Sequence, residues 1–164
     1  MTAVVSDTSP LNYLLLIGAV DLLPRLFSEI FIPPIVAEEL SRPNAPEAVR
    51  AWISSPPQWL QIRSPLVRQH HFDLDEGEAQ AILLAQELKI LSVLIDERKG
   101  FHTAESLGLE PIGLLGILEL CAMRGWIDFD ERIARLRLTN FRFHERLVLD
   151  ARSRLARAAA DGNG

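Results

Sequence analysis

The chain has 164 residues, 48% of them hydrophobic, enough for one domain with a sizeable core and too many for a chain disordered throughout. Its single cysteine, Cys121, excludes an intrachain disulfide and a cysteine-based zinc cluster, and points to a reducing compartment, most simply the cytoplasm. The net charge of −5 conceals an asymmetry: residues 131–161 carry eight arginines and four acids, leaving nine basic against 18 acidic groups in the first 130 residues, a body that does not attract nucleic acid over its whole surface.

Residues 3–6, Ala-Val-Val-Ser, read as a short buried strand. Ser9 and Pro10 then open a helix, with Ser9 as N-cap and Pro10 at the first helical position, and Gly18 breaks it. The apolar stretch 11–20 is shorter than the roughly 20 residues of a membrane span and lacks the basic lead of a signal peptide, so neither is expected. Residues 20–27 form a second helical piece, interrupted at Pro24. A strand follows at 29–32, and Pro33-Pro34 end it and start a helix over 35–40. Pro43 and Pro46 mark a turn before a helix at 47–53, and residues 59–63 alternate as a short edge strand.

After a loop whose His70 and His71 read as exposed, a strong helix spans 76–88. Residues 91–95 are the clearest strand, 99–107 a helix stopped by Gly108, and 109–112 a last short strand. Residues 114–123 are helical, and two more helices follow Asp128 with a turn near Asn140. The terminal Asp161-Gly162-Asn163-Gly164 is expected to fray. Strands alternating with helices predict an α/β fold with a mostly parallel sheet covered on both faces. The expected organisation is a domain over 1–126 with a helical extension, 127–164, packing on it.

Open α/β sheets gather ligands beyond the carboxyl ends of their strands. Asp7 and Asp96 both stand at such ends. A helix cap is the other role for Asp7, but Ser9 fills it; Asp96 could instead serve a turn, and its neighbour Glu97 competes for its role. At roughly 100° per residue, Glu39 lies between Ile35 and Val36 on the apolar face of its helix, whereas Glu38 points away. Glu39 also sits toward the helix C-terminus, where the dipole disfavours a carboxylate; the plainer alternative is a rim glutamate paired with Arg42. Asp75-x-x-Glu78 resembles a capping box, yet Glu78 also lies on the inward stripe of Ala81, Ile82 and Ala85. Asp73, Asp75 and Glu76 read as solvated acids.

Gathered carboxylates repel one another, and a hard divalent cation, Mg²⁺ or Mn²⁺, removes that penalty with oxygen ligands. Asp7, Glu39, Glu78 and Asp96 are therefore the candidate metal-binding and catalytic residues. Arg98 and Lys99 follow as phosphate contacts or as a solvated helix start. The arginine-rich end reads either as a solvated face laced with Arg–Glu pairs or as an RNA or partner contact.

Val4-Val5-Ser6-Asp7-Thr8-Ser9-Pro10-Leu11 resembles the opening of PIN-domain proteins, and residues 32–40, 75–82 and 94–100 resemble their second to fourth acidic segments. Residues 113–118 continue the resemblance to a poorly characterised branch near VapC-type toxins, over about residues 4–126 in all. The resemblance implies a three-layer α/β/α sandwich and a metal-dependent endoribonuclease, the toxin of a toxin–antitoxin pair, hydrolysing RNA phosphodiesters. It further implies a small antitoxin partner and a homodimer. It carries the acidic roles to Asp7, Glu39, Glu78 and Asp96, and a metal-orienting hydroxyl to Thr8 or Ser9, with Ser9 the better match; Glu97 is a supporting acid. The chain departs from the pattern at three places. Glu78 stands where many relatives have Asp, Phe101 where the branch often has a basic residue, and Leu114 where it often has Thr. These changes remove polar groups near the expected cleft and keep a second reading open, a weak or inactive PIN-fold adaptor for RNA or protein.

Overall fold

The structure is a computed structural model and describes residues 2–163. It divides into two compact units, one ending at Gly113 and one beginning at Leu114. The first contains β1 (Ala3–Ser6), α1 (Thr8–Leu16), α2 (Leu23–Leu26), β2 (Glu29–Ile32), α3 (Pro34–Leu40) and α4 (Glu47–Ser54), then β3 (Leu60–Ile62), α5 (Glu76–Leu88), β4 (Ser92–Leu94), α6 (Arg98–Ser106) and β5 (Glu110–Ile112). A 3-10 turn, Val20–Leu22, precedes α2, so the helical piece around Pro24 is split as its proline requires.

The five strands form one all-parallel sheet in the order β3-β2-β1-β4-β5. Their side chains alternate between two buried faces, which is why the central strands are mostly apolar. Val5, paired with Phe31 and Val93, faces a core built with Ala81, Ile82, Leu84 and Ala85 of α5 and Ala104 of α6. Val4, paired with Ile30, points to the other face, as do Ile32 and Leu94, all fully buried or nearly so. From β1 the chain steps outward to β2 and β3, crosses back to β4, and steps outward to β5. With right-handed crossovers that reversal lays the two groups of helices on opposite faces, giving the three-layer sandwich. The reversal falls between β1 and β4, where a parallel sheet opens a crevice at its carboxyl ends.

Helix ends matter because they aim the acids. Asp7, with extended backbone at φ −79° and ψ 175°, holds the N-cap position of α1, and Ser9 is already helical, so the expected cap is displaced by two residues. Pro10 then lies in the first turn, where its missing N–H costs nothing. Asp75 caps α5, its Oδ1 accepting the Glu78 backbone N–H at 2.9 Å. Pro33 and Pro34 start α3, and Gly108, at φ +80°, follows α6 as expected.

The second unit contains α7 (Leu114–Met123), α8 (Phe129–Arg137) and α9 (Glu145–Gly162), with α7 packed on both of the others. Helix α7 groups with the two helices after it. Cys121 is buried in α7. Asp128 caps α8 by accepting the Glu131 N–H at 3.1 Å. Helix α9 runs through Gly162; of the four residues expected to fray, Gly164 lies outside the described residues. Six of the arginines after residue 131 are in ion pairs: Arg132 and Arg135 with Glu131, Arg137 with Glu145, Arg146 with Asp150, Arg152 with Asp130, and Arg154 with Glu119. Among the described residues no helix is long and apolar enough to cross a membrane.

Candidate functional site

Four acids come to the carboxyl end of the sheet from different elements. Asp7 leaves β1; its backbone N–H donates to the Leu94 carbonyl at 2.9 Å, so the ends of β1 and β4 are tied together there. Its side chain is only 4% exposed, and the residue makes no side-chain cap for α1. Glu39 arrives from the last turn of α3, half-buried, and Glu38 beside it is exposed, as the helical phase predicts. Thr8 Oγ1 donates to Glu39 Oε2 at 2.7 Å, so the hydroxyl that holds an acid is that of Thr8 rather than the expected Ser9. Arg42 donates its backbone N–H to the Glu39 carbonyl at 3.3 Å.

Asp7 and Glu39 meet over the first turn of α5. A Cβ placed on Gly77 would lie 2.8 Å from Glu39 Oε1 and 3.0 Å from Asp7 Oδ1, so both carboxylates converge on that one point. Glu78, the next residue, is also 4% exposed. Its carboxyl carbon lies 3.5 Å from where a Cβ on Gly100 would stand. Asp96 follows β4 and is half-buried; its Oδ1 lies 3.1 Å from the Cβ position of Gly113, and its Oδ2 is shielded from solvent.

Burial and mutual repulsion shape the electrostatics. Burial pushes Asp7 well above the ordinary carboxylate range; the Thr8 backbone N–H opposes that, and Asp75, Glu78 and Glu39 add to it. Burial likewise lifts Glu78 to about 7, with Asp75 and Glu97 adding, the Asp75 backbone N–H opposing, and Glu39 adding last. The capping box is therefore real, and it coexists with an inward carboxyl: the box explains the helix start without removing Glu78 from the cluster. The phenol of Tyr13, on α1, is raised first by partial burial and then by Asp96, which marks it as a neighbour of the fourth acid.

Whether these donors suit a metal can be judged from their kind and their room. All are carboxylate oxygens, the set a hard divalent cation prefers, and the absence of a side chain on Gly77 and Gly113 lets three of the acids lie close against the backbone there. Among the described residues no three His, Cys, Asp or Glu side chains stand arranged to hold an ion. The donors fit in chemistry, and side-chain rotation would be needed to close them on one ion.

A family model for the PIN domain, DUF3368, matches residues 3–157. The chain belongs to the PIN domain family. PIN domains are generally nucleases. The fold is also similar to a PilT N-terminus domain protein from the hyperthermophilic archaeon Sulfolobus solfataricus P2, at 15% identity and a TM-score of 0.48, over 88% of this chain and 100% of that one. No curated protein matches the chain.

The remaining sequence candidates of this PIN domain fall around the acids in different ways. Glu97 holds the N-cap position of α6, exposed, and raises Glu78. Arg98 is exposed at the start of α6, while Lys99 Nζ pairs with Asp73 at 3.1 Å on the surface. Phe101, half-buried, packs against the core that includes α5 and α6 residues, so its apolar character has a packing reason. Leu114 is fully buried.

His70 also differs from expectation. Its side chain is 11% exposed, its Nε2 lies 2.9 Å from Glu76 Oε1, and its Nδ1 accepts the Phe72 N–H at 3.2 Å. The resulting bond holds the Glu76 carboxyl below its ordinary range. Asp75, Gly77, Gly113 and Tyr13 were not singled out in the sequence as members of the site. The cap position of Asp75 was legible; that its charge also reaches Asp7 was not, because that depends on α5 packing against β1.

Proposed function

We propose that this PIN domain is a metal-dependent endoribonuclease of the cytoplasm, the RNA-cutting partner of a small antitoxin. The observation that carries the reading is the convergence of Asp7 and Glu39 on Gly77, with the inward Glu78 beside them and Asp96 at the end of the adjoining strand. Burying acids in such proximity is costly unless a cation or a proton offsets it.

In this reading Asp7, Glu39, Glu78 and Asp96 are the ligands of Mg²⁺ or Mn²⁺. Thr8 fixes one oxygen of Glu39, so that carboxylate keeps a single orientation. A bound divalent ion would supply Lewis acidity toward a phosphodiester and the water that attacks it. Arg98, in no ion pair among the described residues, and Lys99, after leaving Asp73, would neutralise phosphate beside the acids. Hydrolysis would leave a 5′-phosphate and a 3′-hydroxyl without a histidine base or the RNA 2′-hydroxyl.

The test is cleavage of a labelled single-stranded RNA with Mn²⁺ and with chelator, followed by end analysis. The expected result is cleavage only with Mn²⁺, yielding 5′-phosphate ends, and none from Asp96→Asn. Cleavage unaffected by chelator, or by that substitution, would overturn the assignment. A second reading, a catalytically silent PIN-fold adaptor, is favoured by the absence of any ready three-acid group among the described residues. RNA binding with neither Mn²⁺ binding nor cleavage would decide for it.

A further inference from the structure

We infer that Gly77 and Gly113 are positioning residues of the carboxylate site: their missing side chains leave the room in which Asp7, Glu39 and Asp96 take up their places. The inference rests on the metal-dependent reading and specifies what sets the geometry of that site.

A glycine within a helix costs up to about 1 kcal/mol relative to alanine, so Gly77, inside α5, calls for a reason. Backbone conformation is not that reason. Among the described residues the positive-φ glycines are Gly18, Gly108 and Gly125, and neither Gly77 nor Gly113 is among them. Space is the reason that remains. The three heavy atoms nearest a Cβ on Gly77 are all carboxylate oxygens, Glu39 Oε1 at 2.8 Å, Asp7 Oδ1 at 3.0 Å and Glu39 Oε2 at 3.2 Å. For Gly113 the nearest is Asp96 Oδ1 at 3.1 Å, with the Ile95 carbonyl oxygen next at 4.0 Å.

Gly100 is a useful contrast. Its Cβ would meet Ile95 Cδ1 at 2.5 Å, an apolar atom of the packed core, so hydrophobic packing accounts for that glycine. At Gly77 and Gly113 the obstructed atoms are instead carboxylate oxygens at the far ends of acid side chains. Such ends can swing aside, so an added methyl would displace carboxylates and leave the helix and sheet standing. At Gly77 it would also disturb the bond from Thr8 to Glu39, whose acceptor is one of the crowded oxygens.

The experiment compares wild type, Gly77→Ala and Gly113→Ala in three measurements: thermal melting of the metal-free protein, Mn²⁺ affinity by titration calorimetry, and ¹³C resonances of the side-chain carboxyls. Both variants are expected to fold, with Gly77→Ala melting at or above wild type through its gain in helix propensity. Mn²⁺ affinity is expected to fall by about 10–100-fold, the usual cost of disturbing the support of a metal ligand. The carboxyl resonances of Asp7 and Glu39 should move in Gly77→Ala, and that of Asp96 in Gly113→Ala. If wild type and both variants bind Mn²⁺ equally, the positioning role is wrong and the nuclease reading survives. If wild type itself binds no Mn²⁺, the nuclease reading falls and the positioning role falls with it. A variant that fails to fold contradicts the claim that only movable carboxylate ends stand in the way.

Discussion

A carboxylate withdrawn from water keeps its charge only if something nearby repays the lost hydration, and Asp7 and Glu78 are both withdrawn while lying among further acids. Because their folded-state values are raised, they stabilise the fold when protonated, and that stability is lost as pH rises. For Glu78 the window runs from its ordinary 4.5 up to about 7. The metal-free protein should therefore melt lower at pH 8 than at pH 5, with Glu78 alone contributing on the order of 3 kcal/mol to the difference. Thermal scans of wild type and Glu78→Gln check this: the glutamine variant should lose much of the slope, and an equal slope would show that Glu78 is not the titrating group. Mn²⁺ binding should strengthen over the same range, since protons compete for the same oxygens. Glu39→Gln should abolish Mn²⁺ binding where Glu38→Gln leaves it intact, a contrast that calorimetry reads directly. The inward face of Glu39 was legible from helical phase alone. Its Thr8 partner was not, because Thr8 and Ser9 offer the same chemistry and only the start of α1 at Thr8 decides between them.

At the scale of elements, the first turn of α5 does two things at once. Asp75 satisfies an orphan N–H of the helix, and its charge presses on Asp7 and Glu78. Asparagine would keep the cap and remove the charge, whereas alanine would remove both. Asp75→Asn is thus expected to be more stable than Asp75→Ala by about 1 kcal/mol, the worth of an N-cap, in denaturant titrations at pH 8; equal midpoints would mean the cap contributes nothing. Element positions were mostly legible because apolar periodicity and proline punctuation agree with each other along this chain. The α1 cap was misplaced since an Asp-Thr-Ser-Pro run offers three capping side chains in succession. His70 was misread as exposed because its burial depends on Phe72 and Glu76, contacts that a loop sequence does not announce.

For the whole molecule, the strand order β3-β2-β1-β4-β5 places β1 beside β4, so that Asp7 and Asp96, far apart in the chain, follow adjoining strand ends. Strand and helix alternation announced a parallel sheet, but not this order, which rests on pairings between residues far apart in the chain. The packing of α7 on α8 and α9 depends likewise on which neighbours its apolar faces meet. The arginine-rich end offered two roles, and its ion pairs support the structural one. Arg154→Ala, which removes the partner of the largely buried Glu119, should lower the melting temperature by about 2 °C and leave RNA affinity unchanged. A loss of RNA binding without a loss of stability would return the arginines to the interface role.

The central claim is that one divalent ion binds among the carboxylates beyond β1 and β4, and diffraction from crystals soaked in Mn²⁺ tests it most directly. The account predicts an anomalous peak within about 2.0–2.3 Å of oxygens from Asp7 and from at least one of Glu39, Glu78 and Asp96. A map with no peak there, or with Mn²⁺ held only elsewhere on the surface, would contradict it.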